Sequence, residues 1–347
     1  MPVVSRRTLL TTALAATLPL PLAACLDKDA DKPATGADAM RLGVGQISNS
    51  VAFFPLFVAE ENGSFAAEGL TLGERPRLGT GAKLAAALQS GSIDVGAGVM
   101  TDAFNLFKIN PEMRVVAALV TEYYVDIIAG PGIAATAADG PLAAKVQALR
   151  GKKVGITGPG SGTEALLTYL LKQQKLDART DVTMVNLGAD ASASLGALKA
   201  GRVDALSFFQ PIGQQAEAQR IGRILISPAR GDVPELRGAL HGVAFTTQQV
   251  LDRKGPAVAA FVRALASAEQ AIHGDAAAVG RLLQKYQTTM DPATVRALVP
   301  VLQQEIPATP APGEAAYATS ARFHQGSGLV AAPPAYAAVV PSSFAGS

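Results

Sequence analysis

Four loops of this sequence carry hydroxyl, amide or carboxyl side chains, three of them together with glycine, and such loops can hold a small polar molecule. Each follows a segment that reads as a strand and precedes one that reads as a helix. At a helix start the first backbone N–H groups are unpaired and the helix dipole is positive, which favours an anion or a carbonyl oxygen. The loops contain Ser48, Asn49 and Ser50; Gly79, Thr80 and Gly81; Gly158 and Pro159 followed by Gly160, Ser161, Gly162 and Thr163; and Gly188, Ala189 and Asp190.

The same residue types also have purely structural roles. Ser, Thr, Asn and Asp cap helices, and Gly79 to Gly81 would also suit a tight turn. The loop at 158–163 lacks the Gly-Lys-Ser/Thr sequence of a nucleotide-binding loop, which argues against ATP. Met100 and Thr101 follow another short strand, so they either reach the same edge of the sheet or pack in the core.

The titratable side chains form no recognisable catalytic or metal-binding pattern. His241, His273 and His324 are far apart, with no second ligand at metal spacing. Asp94 and Asp204 each stand at a turn into a strand, which favours capping over acid–base chemistry. The only cysteine of the sequence lies in its N-terminal leader. We therefore expect no enzyme activity, no cofactor and no metal.

Residues 1–24 have the layout of an export signal. The basic pair Arg6–Arg7 precedes an uncharged apolar stretch that is too short to span a bilayer, which argues against a transmembrane anchor. The pair resembles a twin-arginine signal, and the residues before Cys25 resemble a bacterial lipobox, in which the cysteine is lipidated. Residues 25–40 are polar and small, so we expect a tether between a lipid on Cys25 and the fold.

Composition limits the classes of partner. The formal net charge is +2 and the sequence has no basic tract, so nucleic acid is not expected. Trp is absent, which argues against a sugar site built on stacked indoles. A single cysteine excludes an intrachain disulfide, so the stability of the fold must come from its core.

The elements that must position these loops follow from an alternation of short β-branched and longer Ala/Leu-rich segments. This alternation is typical of βαβ units and predicts an α/β fold. Strands are predicted at 42–46, 72–77, 94–97, 115–120, 125–129, 153–157, 182–186, 205–208 and 241–247. Helices are predicted near 54–67, 81–90, 101–107, 141–149, 163–175, 191–200, 211–221, 247–253, 256–273, 275–287, 291–304 and 314–325.

An internal match indicates that the fold contains two similar halves. The segment Ala-Leu-Gln-Ser-Gly-Ser-Ile-Asp at 87–94 resembles Ala-Leu-Lys-Ala-Gly-Arg-Val-Asp at 197–204, and Val44-Gly45 matches Val154-Gly155 at the same spacing. In each copy a glycine that can take positive φ ends a helix before a buried strand begins. Two copies predict two lobes built alike.

These residues carry a resemblance to a known family over about residues 41–304. The sequence resembles the nitrate, sulfonate, taurine and thiamine-precursor (NMT1-like) group of type II periplasmic binding proteins, the substrate-binding proteins of ABC transporters. The matching text comprises Leu-Gly-Val-Gly at 42–45, Phe-Phe-Pro-Leu-Phe-Val-Ala at 53–59, Glu-Asn-Gly-Ser-Phe at 61–65 and Glu-Gly-Leu at 68–70; Gly-Thr-Gly at 79–81, Gly-Ser-Ile-Asp at 91–94 and Leu-Arg-Gly-Lys-Lys-Val-Gly at 149–155; and Gly-Arg-Val-Asp at 201–204 followed by Phe-Gln-Pro at 209–211.

The resemblance implies a type II periplasmic binding protein fold with two Rossmann-like lobes, a central cleft and two hinge crossovers. Lobe one would comprise 41–121 plus 241–347, and lobe two 122–240. The crossovers would lie near 121–125 and 239–243.

The resemblance also implies a function in solute capture. The protein would bind a small anionic or polar organic molecule, such as a sulfonate or nitrate, and deliver it to the membrane permease of an ABC importer with a cytoplasmic ATPase. It would act as a monomer in the periplasm or on the outer face of the cytoplasmic membrane. A thiamine precursor or other heteroaromatic ligand, and a pyrimidine-processing enzyme on the same fold, stay open as alternatives. A surface receptor or scaffold that keeps the clamp without transport also stays open.

The family positions add candidate ligand contacts. Phe53, Tyr123 and Phe209 would line the cleft or pack in the core, and Gln210 would hydrogen-bond the ligand. His241 lies at the second crossover, where it would contact the ligand or pack in the hinge.

Overall fold

The protein is described by a computed structural model over residues 33–137 and 139–346, in which short strands alternate with helices along most of the chain. The predicted signal, the lipobox and Cys25 lie outside the described residues. The strands are β1 Arg41–Leu42, β2 Val44–Gln46, β3 Thr71–Leu72, β4 Val95–Val99, β5 Met113–Val120, β6 Val125–Ala129, β7 Lys153–Ile156, β8 Thr183–Asn186, β9 Ala205–Phe209, β10 Arg223–Ile226 and β11 Gly242–Thr247.

The α-helices follow the strands and cover the sheets. They are α1 Phe54–Glu61, α2 Ser64–Ala67, α3 Gly81–Gln89, α4 Met100–Ile109, α5 Pro131–Ala137, α6 Leu142–Gln147, α7 Gly162–Gln173, α8 Ala191–Lys199, α9 Ile212–Ala218, α10 Gln248–Ile272, α11 Ala276–Tyr286, α12 Pro292–Glu305, α13 Glu314–Ser327 and α14 Tyr336–Val339. Short 3₁₀ helices lie at Gly36–Met40, Val51–Phe53 and Pro234–Leu236.

One sheet is built from two separate parts of the chain, residues 44–120 and 242–247. Its strand order is β2-β4-β11-β5, with β2 and β4 parallel and β11 antiparallel to both β4 and β5. Every residue of β4 and β11 is buried, which is expected where helices cover both faces of a sheet. Phe53, Phe54 and Phe261 lie in the core that packs against this sheet, and none of the three is exposed.

The second sheet is built from one continuous segment, residues 125–226. Its strand order is β10-β6-β9-β7-β8, with β7 parallel to β8 and β9 and with β6 antiparallel to β9. Leu166, Leu167 and Leu171 of α7 are fully buried in its core. The predicted α/β fold with two lobes is confirmed.

The internal repeat appears as matching elements in the two lobes. Helices α3 and α8 begin at residues 81 and 191, and strands β4 and β9 begin at 95 and 205, which is the spacing of the sequence match. Gly91 and Gly201 end these helices with φ of +71° and +64°, a conformation that costs little only without a Cβ.

The aspartates of the repeat tie each short strand to its neighbour. Asp94 Oδ2 accepts a hydrogen bond from Gly43 N at 2.8 Å, and Asp204 Oδ2 accepts one from Lys153 N at 2.8 Å. Lys254 Nζ also donates to Asp94. Both aspartates thus have a structural role, in which each bonds a neighbouring strand region and not its own turn.

Two segments connect the sheets, between β5 and β6 and between β10 and β11. The predicted boundaries near 121 and 240 fall within these segments, and we keep them as a proposal. The C-terminal helix α13 contacts both lobes, although the sequence assigned it to lobe one. Its Tyr317 packs on Phe104 of α4, with ring centroids 5.8 Å apart, and its Phe323 packs on Tyr169 of α7 at 5.0 Å.

The ordered fold begins before the predicted boundary at residue 41. Gly36–Met40 form a 3₁₀ helix, and Ala34 N donates a hydrogen bond to Arg253 O at 3.0 Å, so residues 33–40 pack on the domain instead of extending as a tether. The two helices predicted at 247–253 and 256–273 join into α10, with a non-helical residue at Lys254 ahead of Pro256. Within the described ranges, none of the helices has the length and apolar character needed to cross a membrane.

Candidate functional site: a cleft between the lobes

A cavity of about 520 Å³ lies between the two sheets, where strands of both lobes end and helices begin. Its walls come from the loops after β2, β3, β7 and β8, from the last residues of β4 and β9, from helices α3 and α4, and from the two connections between the sheets. Open α/β sheets bind ligands outside the carboxyl ends of their strands, because adjacent loops diverge there and leave a crevice. The cavity therefore lies where the topology predicts a ligand.

The lobe-one wall is formed by two helices. Thr80 caps α3, and its Oγ1 accepts a hydrogen bond from Lys83 N at 3.2 Å. The residues of α4 that face the cavity are Asp102, Asn105, Leu106 and Ile109. They recur at three- and four-residue steps, as one face of a helix requires.

The lobe-two wall is the glycine-rich loop at 158–163. Ser161 Oγ caps α7 by accepting from Glu164 N at 3.3 Å, and Thr163 Oγ1 accepts from Thr157 N at 3.0 Å. Asn105 Nδ2 of lobe one donates to Gly160 O at 2.9 Å, so a hydrogen bond joins the two walls directly.

His241 forms the deepest polar part of the cavity lining. Its side chain is fully buried. The centroid of its ring lies 3.9 Å from the ring centroid of Tyr123 and 4.7 Å from that of Tyr124. Neither ring nitrogen has a hydrogen-bond partner among the described residues. Burial lowers the pKa of His241 well below its ordinary value, and His324 acts in the same direction, so the imidazole is neutral.

Asp102 is the carboxylate of the cavity. Its Oδ2 accepts a hydrogen bond from Val99 N at 3.0 Å. Burial raises the pKa of the carboxyl to about 6, and the hydrogen bond from Val99 partly offsets this. Among the described residues that line the cavity there is no lysine and no arginine. The cleft thus carries negative charge or none near pH 7.

The residues predicted as ligand contacts divide into two sets. The first set lines the cavity and includes the glycine-rich corners of both lobes, the histidine of the second crossover and one aromatic residue at the end of β9. Its members are Ser48, Gly79, Thr80, Gly81, Gly160, Ser161, Gly162, Thr163, Phe209 and His241.

Five residues of the second set are buried and are not among the residues that line the cavity. Phe53 and Met100 are fully enclosed in the core of lobe one. Thr101 Oγ1 lies 2.7 Å from His324 Nε2, and Tyr123 donates its hydroxyl to Gly162 O at 2.7 Å. Gln210 Nε2 donates to Glu305 Oε1 at 2.9 Å. Most of their polar atoms contact other protein groups, although Gln210 Oε1 has no partner among the described residues, and we do not include these residues in the proposed site.

Three further residues of this set stabilise loops or helix ends. Asn49 is exposed and its Oδ1 accepts a hydrogen bond from Arg77. Ser50 caps the 3₁₀ helix Val51–Phe53, and Asp190 caps α8 by accepting from Ala193 N at 2.7 Å. Ser50 and Asp190 therefore act as helix caps in this structure, which is the structural role that such residues often have.

Sequence reasoning missed the contribution of α4. Asp102, Asn105, Leu106 and Ile109 were not predicted, because only the residues directly after a strand were expected to reach the cavity. Continuing the helical period from Met100 would have placed these four side chains on one face. Asn186, Gly188 and Ala189 line the cavity at the end of β8, where only the loop as a whole was expected. No group of metal-binding side chains occurs in the described part of the chain.

Comparisons with known proteins agree with this architecture. A profile of the NMT1-like family matches residues 34–283. No curated protein matches significantly. Among solved structures, the alkanesulfonate-binding protein SsuA from Xanthomonas axonopodis pv. citri, bound to MOPS, is 20% identical with a TM-score of 0.67; 87% of this chain and 98% of that chain are covered.

Two other structures extend the comparison. The ligand-binding component of an ABC-type import system from Staphylococcus aureus, with zinc bound, is 17% identical with a TM-score of 0.70 and covers 88% of this chain and 97% of that chain. A Candida albicans protein described as having the generic periplasmic binding protein fold is 14% identical, with a TM-score of 0.64 and coverage of 84% and 91%. At these identities the likeness shows the fold. Because the family profile spans most of the sequence, the chain belongs to the NMT1-like family and has the two-lobed type II periplasmic binding protein fold.

Proposed function

We propose that this protein is the solute-binding component of an ABC-type importer and holds one small organic molecule in the cleft between its lobes. The observation that carries the proposal is the cavity of about 520 Å³, which is lined by strand-to-helix corners of both lobes. Cavities of this size suit small organic ligands. The Staphylococcus aureus relative is a component of an ABC-type import system, which supports the same role here.

The two connections between the sheets would act as a hinge. A ligand that contacts both walls favours the closed arrangement, because only that arrangement lets both walls touch it at once. The hydrogen bond between Asn105 and Gly160 would form only with the lobes together. The membrane permease would then distinguish the closed, loaded protein from the open one.

The volume of the cavity indicates the size of the ligand that would fill it. Nitrate would fill only a small part of it, whereas an organic molecule with a polar group and an apolar body would contact both walls. The sulfonate ligand of the Xanthomonas relative is an organic molecule of this kind. We therefore propose a polar organic ligand in preference to an inorganic ion.

Solute binding accounts for the site better than catalysis does. His241 has no hydrogen-bonded nucleophile, and His324 contacts Thr101 where both side chains are fully buried and neither lines the cavity. An enzyme needs its nucleophile and base beside the substrate. We propose that the cleft binds its ligand without turnover.

We also propose that the protein is an exported monomer anchored to the membrane by a lipid on Cys25. The export signal and the lipobox-like residues before Cys25 support this proposal. Mass spectrometry of membrane-extracted protein should find an N-terminal, acylated Cys25. A soluble protein that begins at another residue would contradict the anchor.

The binding proposal is tested by filling the cleft. Purified protein should be stabilised against heat by at least one member of a panel of sulfonates, nitrate, amino acids and pyrimidines, with the shift rising with concentration as mass action requires. Ala86 of α3 lines the cavity, so Ala86→Trp should abolish that shift. Ala66 of α2 is exposed and lies outside the cavity lining, so Ala66→Trp is the matched control and should keep the shift.

Two outcomes would contradict the proposal. One is the absence of stabilisation by every compound of the panel. The other is a shift that persists in Ala86→Trp, because the ligand would then bind outside the cleft.

A further inference from the structure

The cleft-facing helices already carry carboxylates of the protein at their N-termini. At α7, Gly160 N donates to Glu164 Oε2 at 2.6 Å. At α8, Asp190 Oδ1 accepts from Ala193 N at 2.7 Å. A helix N-terminus attracts an anion because of its unpaired N–H groups and positive dipole. At these two corners, the protein itself supplies the anion.

The start of α3 is filled in the same way. A Cβ atom at Gly81, the first residue of α3, would lie 1.8 Å from Oδ1 of Asp102. The carboxylate of Asp102 therefore occupies the space beside the helix start, and only glycine permits this approach. The place where the sequence predicted a ligand oxyanion contains an oxyanion of the protein.

The charge of the cavity lining also argues against an anionic ligand. Asp102 lines the cavity, while lysine and arginine are absent from the lining residues that the structure describes. Glu164 and Asp190 make their bonds at helix starts of the opposite wall and are not lining residues themselves. A sulfonate or nitrate would bring another negative charge beside Asp102 in a partly dehydrated space without a counter-charge, which is unfavourable.

Two further features of the cavity indicate which groups a ligand would present to it. Both ring nitrogens of the fully buried His241 lack partners among the described residues, and buried polar atoms normally have one. A ligand in the cavity can supply that partner. Part of the lining is apolar, along Ala85, Leu106 and Ile109, and Ile109 is 66% exposed.

We infer that the ligand presents a nitrogen-bound N–H donor, such as an ammonium, an amidinium or an amino-heterocycle, to Asp102, and lays an apolar body along α3 and α4. The inference rests on the proposed function and specifies its ligand. It replaces the oxyanion that the helix starts alone suggested. The neutral imidazole of His241 serves as a second hydrogen-bond partner for the same molecule.

Three probes of similar shape test the inference. Benzamidine is a cation with N–H donors, benzamide is its neutral counterpart, and benzenesulfonate is an anion. Calorimetric titration of the purified protein at about pH 7.5 should give a dissociation constant for benzamidine that is at least about tenfold lower than for benzenesulfonate.

Asp102→Asn should weaken benzamidine binding by about tenfold or more and change benzamide binding much less, because the variant keeps the shape and removes the charge. Asp291→Asn alters another helix-capping aspartate that lies outside the cavity lining, and should leave all three affinities unchanged. Ile109→Ser, at an exposed position that folding tolerates, should weaken benzamidine and benzamide alike.

The results separate this inference from the proposed function. Benzenesulfonate binding as tight as benzamidine, or benzamidine binding unchanged in Asp102→Asn, overturns the inference, while ligand capture in the cleft stands. Binding of none of the three probes also overturns the inference. The proposed function fails if the wider panel likewise gives no stabilisation, or if the thermal shift persists in Ala86→Trp.

Discussion

Two buried carboxylates, those of Glu305 and Asp126, lie beside the connection between β5 and β6. Glu305, at the end of α12, is 2% exposed and accepts a hydrogen bond from Gln210. Its other oxygen has no partner among the described residues. Burial raises the pKa of Glu305 to about 8, and Asp126 and Glu122 add to the rise. Burial likewise raises the pKa of Asp126 to about 7.

These pKa values predict that the protein loses stability as the pH rises. Between the ordinary pKa of 4.5 and the folded pKa of about 8, the folded state keeps a proton on Glu305 that the unfolded state has lost. The free energy of unfolding should therefore fall through this residue by roughly 1.4 kcal/mol per pH unit in that window, and no further above it. Glu305→Gln keeps a hydrogen-bond acceptor for Gln210 and should remove this part of the slope, as measured by urea unfolding from about pH 5 to 9.

A matched control uses the exposed Glu314 at the start of α13. Glu314→Gln should leave the slope as in the wild type. An identical slope in wild type and Glu305→Gln would mean that Glu305 is ionised in the folded protein across this range, contrary to the burial argument.

At the scale of secondary-structure elements, the sequence predicts those features that depend on residues close together in the chain. The repeat positions at 87–94 and 197–204 contain a glycine for the helix end and an aspartate for the strand, and both aspartates make the same bond in the structure. The loop at 158–163 was found because glycine and hydroxyl residues precede a helical pattern. Turns and helix starts of this kind can be recognised in the sequence without knowledge of the fold.

Other elements depend on tertiary packing and were missed. The short strand β10 has only four residues between Gly222 and Ser227-Pro228, and it pairs antiparallel with β6, which lies about 95 residues earlier in the chain. Asp102 was missed because a carboxylate inside a helix reads as a solvated side chain until the approach of Gly81 is known. For the same reason, the sequence suggested free helix starts suited to an anion, whereas in the structure carboxylates of the protein occupy them.

At the scale of the whole molecule, two sheets with one repeated pattern face each other across a cleft, and contacts outside the cleft also join them. Helix α13 packs Tyr317 against lobe one and Phe323 against lobe two. The Asn105–Gly160 bond joins the walls at the cleft itself. Closure around a ligand would therefore occur between lobes that α13 already holds together on one side.

We propose that both lobes hold one ligand molecule. A crystal structure of the protein purified from its source, with its co-purified ligand, would show directly whether they do. We predict density for one organic molecule in the cavity, with a nitrogen within hydrogen-bond distance of Asp102 and an atom in contact with His241. Density for a ligand elsewhere, or for one that touches only a single lobe, would contradict the account.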